Sequence, residues 1–443
     1  MTAAVRAEAI RSTAATATAT TASGLPEVVN QRNRVEETVF NYGDWQTVNG
    51  TKDKFFVYSA YLDRRYKNNP YIRIIATTKT KNYDRVVCLL YFENVWEFVP
   101  AKMRLISEHF NLPFSAAFVI CPLKNATHVP ANISVVVFDP HKRIYFPAAN
   151  RLPVLKLEET PNIDETVEEK IAICIKPIHY EYNKIFQLVE FLELNRLLGV
   201  DHFVSYNKSI SAEATCILNE YIGEGIVSIH PWNFPLKSQL EIRTENIFAA
   251  LNDCLYRYMH SYSYILFADL DEFVIPQMNS TIPEMLRLLN KRFDTSRISA
   301  YLFQNAFFYL QWEDDPDMAF ANDIEKHLFT LRKTRRRVKL NPHKQRSKFI
   351  VKPKNVMEVG NHFVWQFLHR QQTMNVLPDV AILHHYRICE FGGDDCIKLP
   401  SIVDRTVYHY RRSLNCKFAR RWRSLSTKCS LPYVDLSCMD NNC

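Results

Sequence analysis

Apolar and polar positions change rhythm part-way along the chain. From Phe55 to Ala149 the apolar residues fall in short β-like runs, Phe55–Tyr61, Tyr71–Ala76, Arg85–Phe92, Ala116–Cys121 and Ile133–Asp139, broken by proline and asparagine. No long helical period intervenes, so a small antiparallel sheet module is expected over residues 34–163. Pro161 and the acidic stretch Asp164–Glu169 read as a linker. Residues 1–33, rich in alanine and threonine, hold too few large apolar groups to build a core and read as a disordered stem.

After the linker, strands and helices alternate. Ile171–Ile175 is an apolar strand, and Ile185, Leu188, Val189, Leu192 and Leu197 then recur at helical spacing up to Gly199, a helix-ending glycine. A strand at His202–Tyr206, a helix near Ala212–Tyr221, a strand at Ile226–His230 and a helix near Ile242–Met259 lead to Tyr264–Ala268. Elements of this length in this order predict an α/β domain over residues 164–400, its central sheet mostly parallel and covered on both faces. Residues 401–443 form a cysteine-rich C-terminal tail.

The last of these strands runs into Phe267-Ala268-Asp269-Leu270-Asp271-Glu272-Phe273. Strand side chains alternate with period two, so Asp269 and Asp271 are expected to leave one face together and converge on a cation, with Glu272 on the opposite face. In open α/β sheets ligands sit at the carboxyl ends of the strands, where this motif falls. A hard divalent ion held by a few carboxylates, with positions left for phosphate oxygens, suits activation of a nucleotide diphosphate. An acidic turn after a buried strand is the bland alternative.

Composition narrows the class. The chain has 443 residues, 47% of them apolar, enough for one large core or two moderate ones. Its nine glycines form no GxGxxG or GxxxxGK[ST] array, which argues against a dinucleotide fold or a P-loop. The net charge of +8 is offset by 47 acidic residues and does not describe a nucleic-acid binder. Eleven cysteines without a CxxC pair favour disulfides in an oxidising compartment over a zinc ribbon. Sequons at Asn49, Asn125, Asn132, Asn207 and Asn279 agree with that compartment. No apolar run is long enough to span a bilayer, and the first residues lack the apolar core of a signal peptide.

Several stretches together carry a resemblance: Phe56-Val-Tyr-Ser-Ala-Tyr-Leu-Asp-Arg64, Cys174-Ile-Lys-Pro177, Leu188-Val-Glu-Phe-Leu-Glu193, Leu197-Leu-Gly-Val200, Asn252-Asp-Cys254, the Asp269 motif and His385-Tyr-Arg387. In this order they resemble glycosyltransferase family 92, the DUF23 group of animal galactosyltransferases. The resemblance implies a GT-A-like fold, transfer of a hexose, galactose from UDP-galactose, onto a glycan or glycoprotein acceptor, and a manganese ion. It also implies a Golgi lumen or membrane location, the family being usually membrane-anchored. Asp269 and Asp271 would hold the ion, and Asp269 the nucleotide's ribose as well. His385 is the expected third ligand, imidazole suiting Mn²⁺. Lys176, at the end of the first strand, and Arg387 are the expected donor-binding cations.

An inverting transfer also needs a carboxylate base, and Asp314 or Asp315, after Trp312, is expected to supply it. Trp312 or Phe308 would stack on a sugar. The basic run Arg332–Lys348 reads as solvated loop charge, or as a cover for the diphosphate and a steering field for anionic acceptors. Two other readings stand beside this one. A haloacid-dehalogenase-type phosphotransferase also ends a strand in Asp-X-Asp, but has Thr or Val where Phe273 stands. A glycan-binding module on an inactive transferase scaffold would keep the fold without turnover.

Overall fold

The computed structural model describes residues 43–66, 69–93, 95–124, 128–139, 144–156, 169–320, 322–390 and 393–436. The expected stem over residues 1–33, the sequon at Asn125 and most of the expected linker lie outside them.

The α/β domain opens with β1 (Ile171–Cys174), buried along its whole length, as a strand covered on both faces must be. Helix α1 (Ile185–Leu197), β2 (His202–Asn207), α2 (Ala212–Gly223), β3 (Val227–Pro231), α3 (Ile247–Tyr258) and β4 (Tyr264–Phe267) follow. Strand β5 (Glu272–Pro276) and α4 (Ile282–Arg292) lead to β6 (Ile298–Phe303) and β7 (Asn305–Tyr309). The domain continues through β8 (Lys348–Val351), β9 (Gln372–Asn375), β10 (Ala381–Arg387) and α5 (Arg411–Ser426).

The central sheet has the order β3-β2-β1-β4-β8-β6-β9. It is mixed rather than purely parallel. Strand β8 pairs antiparallel with both β4 and β6, whereas β1 through β4 and the β6–β9 pair are parallel. A second, three-stranded sheet, β5-β10-β7, stands beside it. Thr281 and Glu284 cap α4 reciprocally. Gly199, at φ +91°, ends α1, and a Cβ there would meet the Pro283 ring at 2.7 Å, so a glycine lets the two helices approach.

The segment ahead of this domain is larger than a small module. Its ten-stranded sheet is antiparallel except where Leu152–Leu155 pairs with Phe55–Asp63. Helix α3 lies between the two sheets. On one side it meets Phe267, Phe349 and Val351 of the central sheet, and on the other Tyr58, Ile75 and Phe118, all in one apolar cluster. Buried Asp253 on α3 accepts hydrogen bonds from Ser59, Tyr61, Tyr206 and Arg257, tying the two sheets together through one carboxylate.

The tail segment is built into the core as well. Leu414, Phe418, Trp422 and Leu425 of α5 pack with Leu188 and Leu192 of α1. Disulfides join Cys88 to Cys121, Cys174 to Cys254, Cys216 to Cys429 and Cys389 to Cys396. Cys416 is also disulfide-bonded. Among the described residues no helix is long and apolar enough to cross a membrane.

Candidate active site

A cleft of about 570 Å³ opens at the carboxyl ends of β1 and β4. Its lining includes Lys176, Asp269, Asp271, Glu272, His385 and Arg387, so the expected donor-binding and metal-binding residues come together there. The acidic motif is not on a strand, however. Strand β4 ends at Phe267, the chain turns at Leu270–Asp271, and β5 begins at Glu272 in the other sheet. Period-two alternation therefore does not apply across the motif, and Glu272 is not on an opposite face. Carboxylate oxygens of Asp269, Asp271 and Glu272 lie within 4.8 Å of one another.

The turn is held by its own backbone. The Asp269 N–H donates to the Glu272 carboxylate at 2.9 Å, and the Glu272 N–H to the Asp269 carbonyl at 3.0 Å. Glu272 and His385 are register partners in the β5–β10 ladder. His385 Nδ1 lies 3.3 Å from Glu272 Oε1, and Nε2 lies 3.6 Å from Asp271 Oδ2. Asn305 on β7 is 3.0 Å from the same Nδ1 and fixes the ring from behind. Its neighbour His384 faces the other way, fully buried against Phe308, and burial pushes it down to about 4.

Two ammonium groups complete the cluster. Lys176 Nζ lies 3.1 Å from Asp269 Oδ2, and Lys348 Nζ lies 3.4 Å from the same oxygen and 3.3 Å from Glu272 Oε2. Burial alone would raise the Asp269 carboxyl, but Lys176 and Lys348 hold it well below the ordinary carboxylate value. Asp271 is likewise lowered, burial being overridden by His385 and Lys176. Glu272 goes the other way, lifted by burial despite Lys348. Burial opposes the charge on Lys176, yet Asp269 and Asp271 raise its ammonium above the usual range.

The start of α3 also contributes to the cleft lining. Thr244, Glu245 and Asn246 all have left-handed backbone, at φ 37°, 50° and 62°, a costly run without glycine. Trp232 Nε1 donates to the Glu245 carbonyl, and Asn246 Nδ2 donates to Thr77 Oγ1 in the ten-stranded sheet at 2.7 Å. Arg243, Thr244 and Ile247 thereby reach the cleft, with the positive end of a twelve-residue helix behind them.

Other expectations are corrected. Asp314 and Asp315 do not line the cleft. Asp314 pairs with Arg332 at 2.8 Å and Lys333 at 2.7 Å, and buried Asp315 takes both prongs of Arg405 at 2.8 Å. Burial works against the Asp315 charge, but Arg405 and Thr334 hold its carboxyl at about 2, too weak a base for a sugar hydroxyl. Phe308 is core, and Trp312 donates its indole N–H to the Ile397 carbonyl at 2.9 Å rather than facing the cleft. The basic run is not one solvated loop. Arg332 and Lys333 clamp Asp314, Arg336 pairs with Asp404 at 2.7 Å, and Lys348 is buried in the acidic cluster.

The residue pattern of glycosyltransferase family 92 matches residues 169–429, a span that contains every cleft residue named above. The chain is thus one of the glycosyltransferases. Within them it belongs to glycosyltransferase family 92. A family 92 protein of Caenorhabditis elegans, F13G3.3, is 29% identical over 158 residues, which cover 31% of this chain and 31% of that relative's length. The beta-1,4-galactosyltransferase galt-1 of the same organism is 20% identical over 365 residues, covering 82% of this chain and 75% of its own. Among solved structures, TarS 1–349 of S. aureus in complex with UDP superposes with a TM-score of 0.27 at 10% identity, over 59% of this chain and 67% of that one. A likeness of that size adds nothing to the reading of the site.

Proposed function

We propose that this protein transfers a hexose, galactose from UDP-galactose, onto a glycan acceptor, with Mn²⁺ bound at Asp269, Asp271 and His385 in a GT-A-like arrangement. The observation that carries the reading is the carboxylate cluster of Asp269, Asp271 and Glu272 at the rim of parallel strands, inside a cationic cleft, in a family 92 chain. A galactosyltransferase among the chain's relatives supports the choice of sugar.

The donor atoms suit a divalent ion: carboxylate oxygens with one imidazole nitrogen favour manganese over magnesium. When bound, the ion supplies positive charge to the diphosphate oxygens as the sugar leaves. The chain's own groups do the rest. Lys176, Lys184, Arg243 and Arg346 line the cleft and stabilise the negative charge that develops on the departing diphosphate. Lys176 and Gln187 also line a cavity beside the cleft that runs from Ile175 to Tyr182, and we place the nucleoside there.

A β-linked product from an α-linked donor requires inversion and a base. Among the described cleft residues Glu390 is the carboxylate outside the acidic cluster, and it pairs with Arg387. In this scheme Glu390 takes the proton from the acceptor hydroxyl, whose oxygen bonds to the sugar's anomeric carbon. The bond from that carbon to the phosphate oxygen breaks, and its electron pair leaves with UDP. A phosphotransferase nucleophile at Asp269 fits less well, since that carboxylate is held between two lysines. The disulfides support a secretory-pathway lumen, which we propose as the protein's location.

The test is release of UDP from a panel of UDP-sugars with a glycan acceptor mixture, with Mn²⁺ or with chelator. Metal-dependent release from UDP-galactose is expected. Glycan binding without UDP release from any donor would leave a binding module on a transferase scaffold.

A further inference from the structure

A second cavity of about 520 Å³ adjoins the cleft, and Arg346, His362, Arg387, Ile388 and Glu390 line both. We propose that it is the acceptor subsite and that it selects a glycan bearing a carboxylate or sulfate group. This rests on the transferase reading above.

Charge is the first argument. Arg337, Lys344 and Arg346 all line this cavity, and among the described residues none has an acidic partner. Their neighbours Arg332, Lys333, Arg336 and Lys348 are all paired. The cavity's carboxylate, Glu390, is already engaged by Arg387. The site therefore presents cations whose counter-charge is not supplied by the fold, and Arg337 Nε is buried without a hydrogen-bond acceptor.

Backbone geometry is the second. Lys344 and Arg346 have φ of 72° and 56°, a conformation that favours glycine or asparagine. The turn is pinned by Ser347 Oγ, which accepts from the Lys344 N–H at 3.0 Å, and by Asn341, which donates to Asn305 Oδ1 at 2.9 Å. Two strained positions are thus occupied by long cations that line one cavity, the Lys344 ammonium lying 5.4 Å from the centre of the Phe363 ring. Phe307 and Tyr309, whose rings lie 5.6 Å apart and nearly parallel, form an apolar wall suited to the face of a sugar.

The test uses the full chain with Mn²⁺ and UDP-galactose. Three matched acceptors are compared: a neutral N-acetyllactosamine oligosaccharide, its glucuronate-terminated form and its sulfated form. Direct binding of each, and of UDP, is measured by calorimetry. An acidic form should have a KM about 10-fold below the neutral parent, the gain of one charge-assisted contact. The glucuronate and sulfate arms separate the two sources of charge. Arg337→Gln and Lys344→Gln, each checked for a wild-type melting temperature, should erase that preference while UDP affinity and acceptor-free donor hydrolysis stay unchanged. Equal use of neutral and acidic acceptors overturns the proposal, as does a loss of UDP affinity in either variant. If the wild type binds UDP but releases none from any donor, the transferase reading fails separately, and the binding of acidic against neutral glycans still decides the subsite.

Discussion

Lys348 holds its ammonium 3.4 Å from the carboxylate of Asp269, at the centre of the acidic cluster. It is buried, and burial's pull on its charge is overcome by Asp269 and Glu272, which raise it above the ordinary lysine value. The lysine therefore acts as a built-in counter-ion, and a metal bound at the proposed site would have to share the carboxylates with it. Lys348→Met should lower metal-free stability by about 3–5 kcal/mol, because it strands carboxylates in a dry site. It should also enlarge the rise in melting temperature on adding Mn²⁺. A Mn²⁺ shift no larger than in the wild type would show that Lys348 and the metal do not compete for one charge.

Asp271 is the cluster's most accessible carboxylate, and its fold role runs through its backbone, whose carbonyl accepts from the Tyr386 N–H at 2.9 Å. Asp271→Asn keeps that bond and the side chain's volume. Transfer should fall at least about 100-fold, as expected for loss of a metal-binding carboxylate, with a melting temperature near that of the wild type. Activity retained in chelator-treated buffer would remove the metal from the mechanism.

The two acidic positions with opposite fates give a paired test of the base. Asp315→Asn loses the Arg405 clamp and should cost about 1–3 kcal/mol of stability, with kcat of the folded fraction within a few-fold of wild type. Glu390→Gln should lower kcat by about 10²–10⁴-fold while UDP affinity is retained. The reverse ranking of the two variants would return the base to the 314–315 segment.

Glu190 on α1 is fully buried and receives hydrogen bonds from the backbone of Phe329 and Thr330. Burial pushes its carboxyl up to about 8 from 4.5, against the pull of the Thr330 donors. A group held more tightly protonated when folded stabilises fully below its unfolded value and loses that contribution as pH rises through the folded one. Stability should therefore decline as pH rises from about 4.5 to about 8, and Glu190→Gln should flatten that decline. An equally steep fall in the variant would assign it to other groups.

The alternation of strand and helix from Ile171 to Phe267 is legible because each strand is short, apolar and bounded by a helical period. The cleft's Lys176 and Asp269 are legible for the same reason, each lying just past the end of a strand, whereas His385, within a strand, is legible only through the His-Tyr-Arg resemblance. What sequence spacing misreads is the geometry of the turn. Alternation carried across Asp269–Glu272 assigns Glu272 to the wrong side, because the strand stops at Phe267. Lys348 hides at the end of a basic run, though the apolar Phe349-Ile350-Val351 that follows it marks a strand mouth rather than a loop. Asp314 and Asp315 look catalytic by position, but Asp314 is paired by the nearby basic run through Arg332, and Asp315 by Arg405, 90 residues on, which no local pattern reveals.

Thr77, on a strand far upstream of the residues that match the family, anchors the turn that delivers Arg243 to the cleft wall. The same upstream sheet covers one whole side of α3. A polypeptide begun at residue 169 would leave that helix face open to water and Asp253 without Ser59 and Tyr61. The span that matches the family pattern is thus not expected to stand alone without the sheet that precedes it.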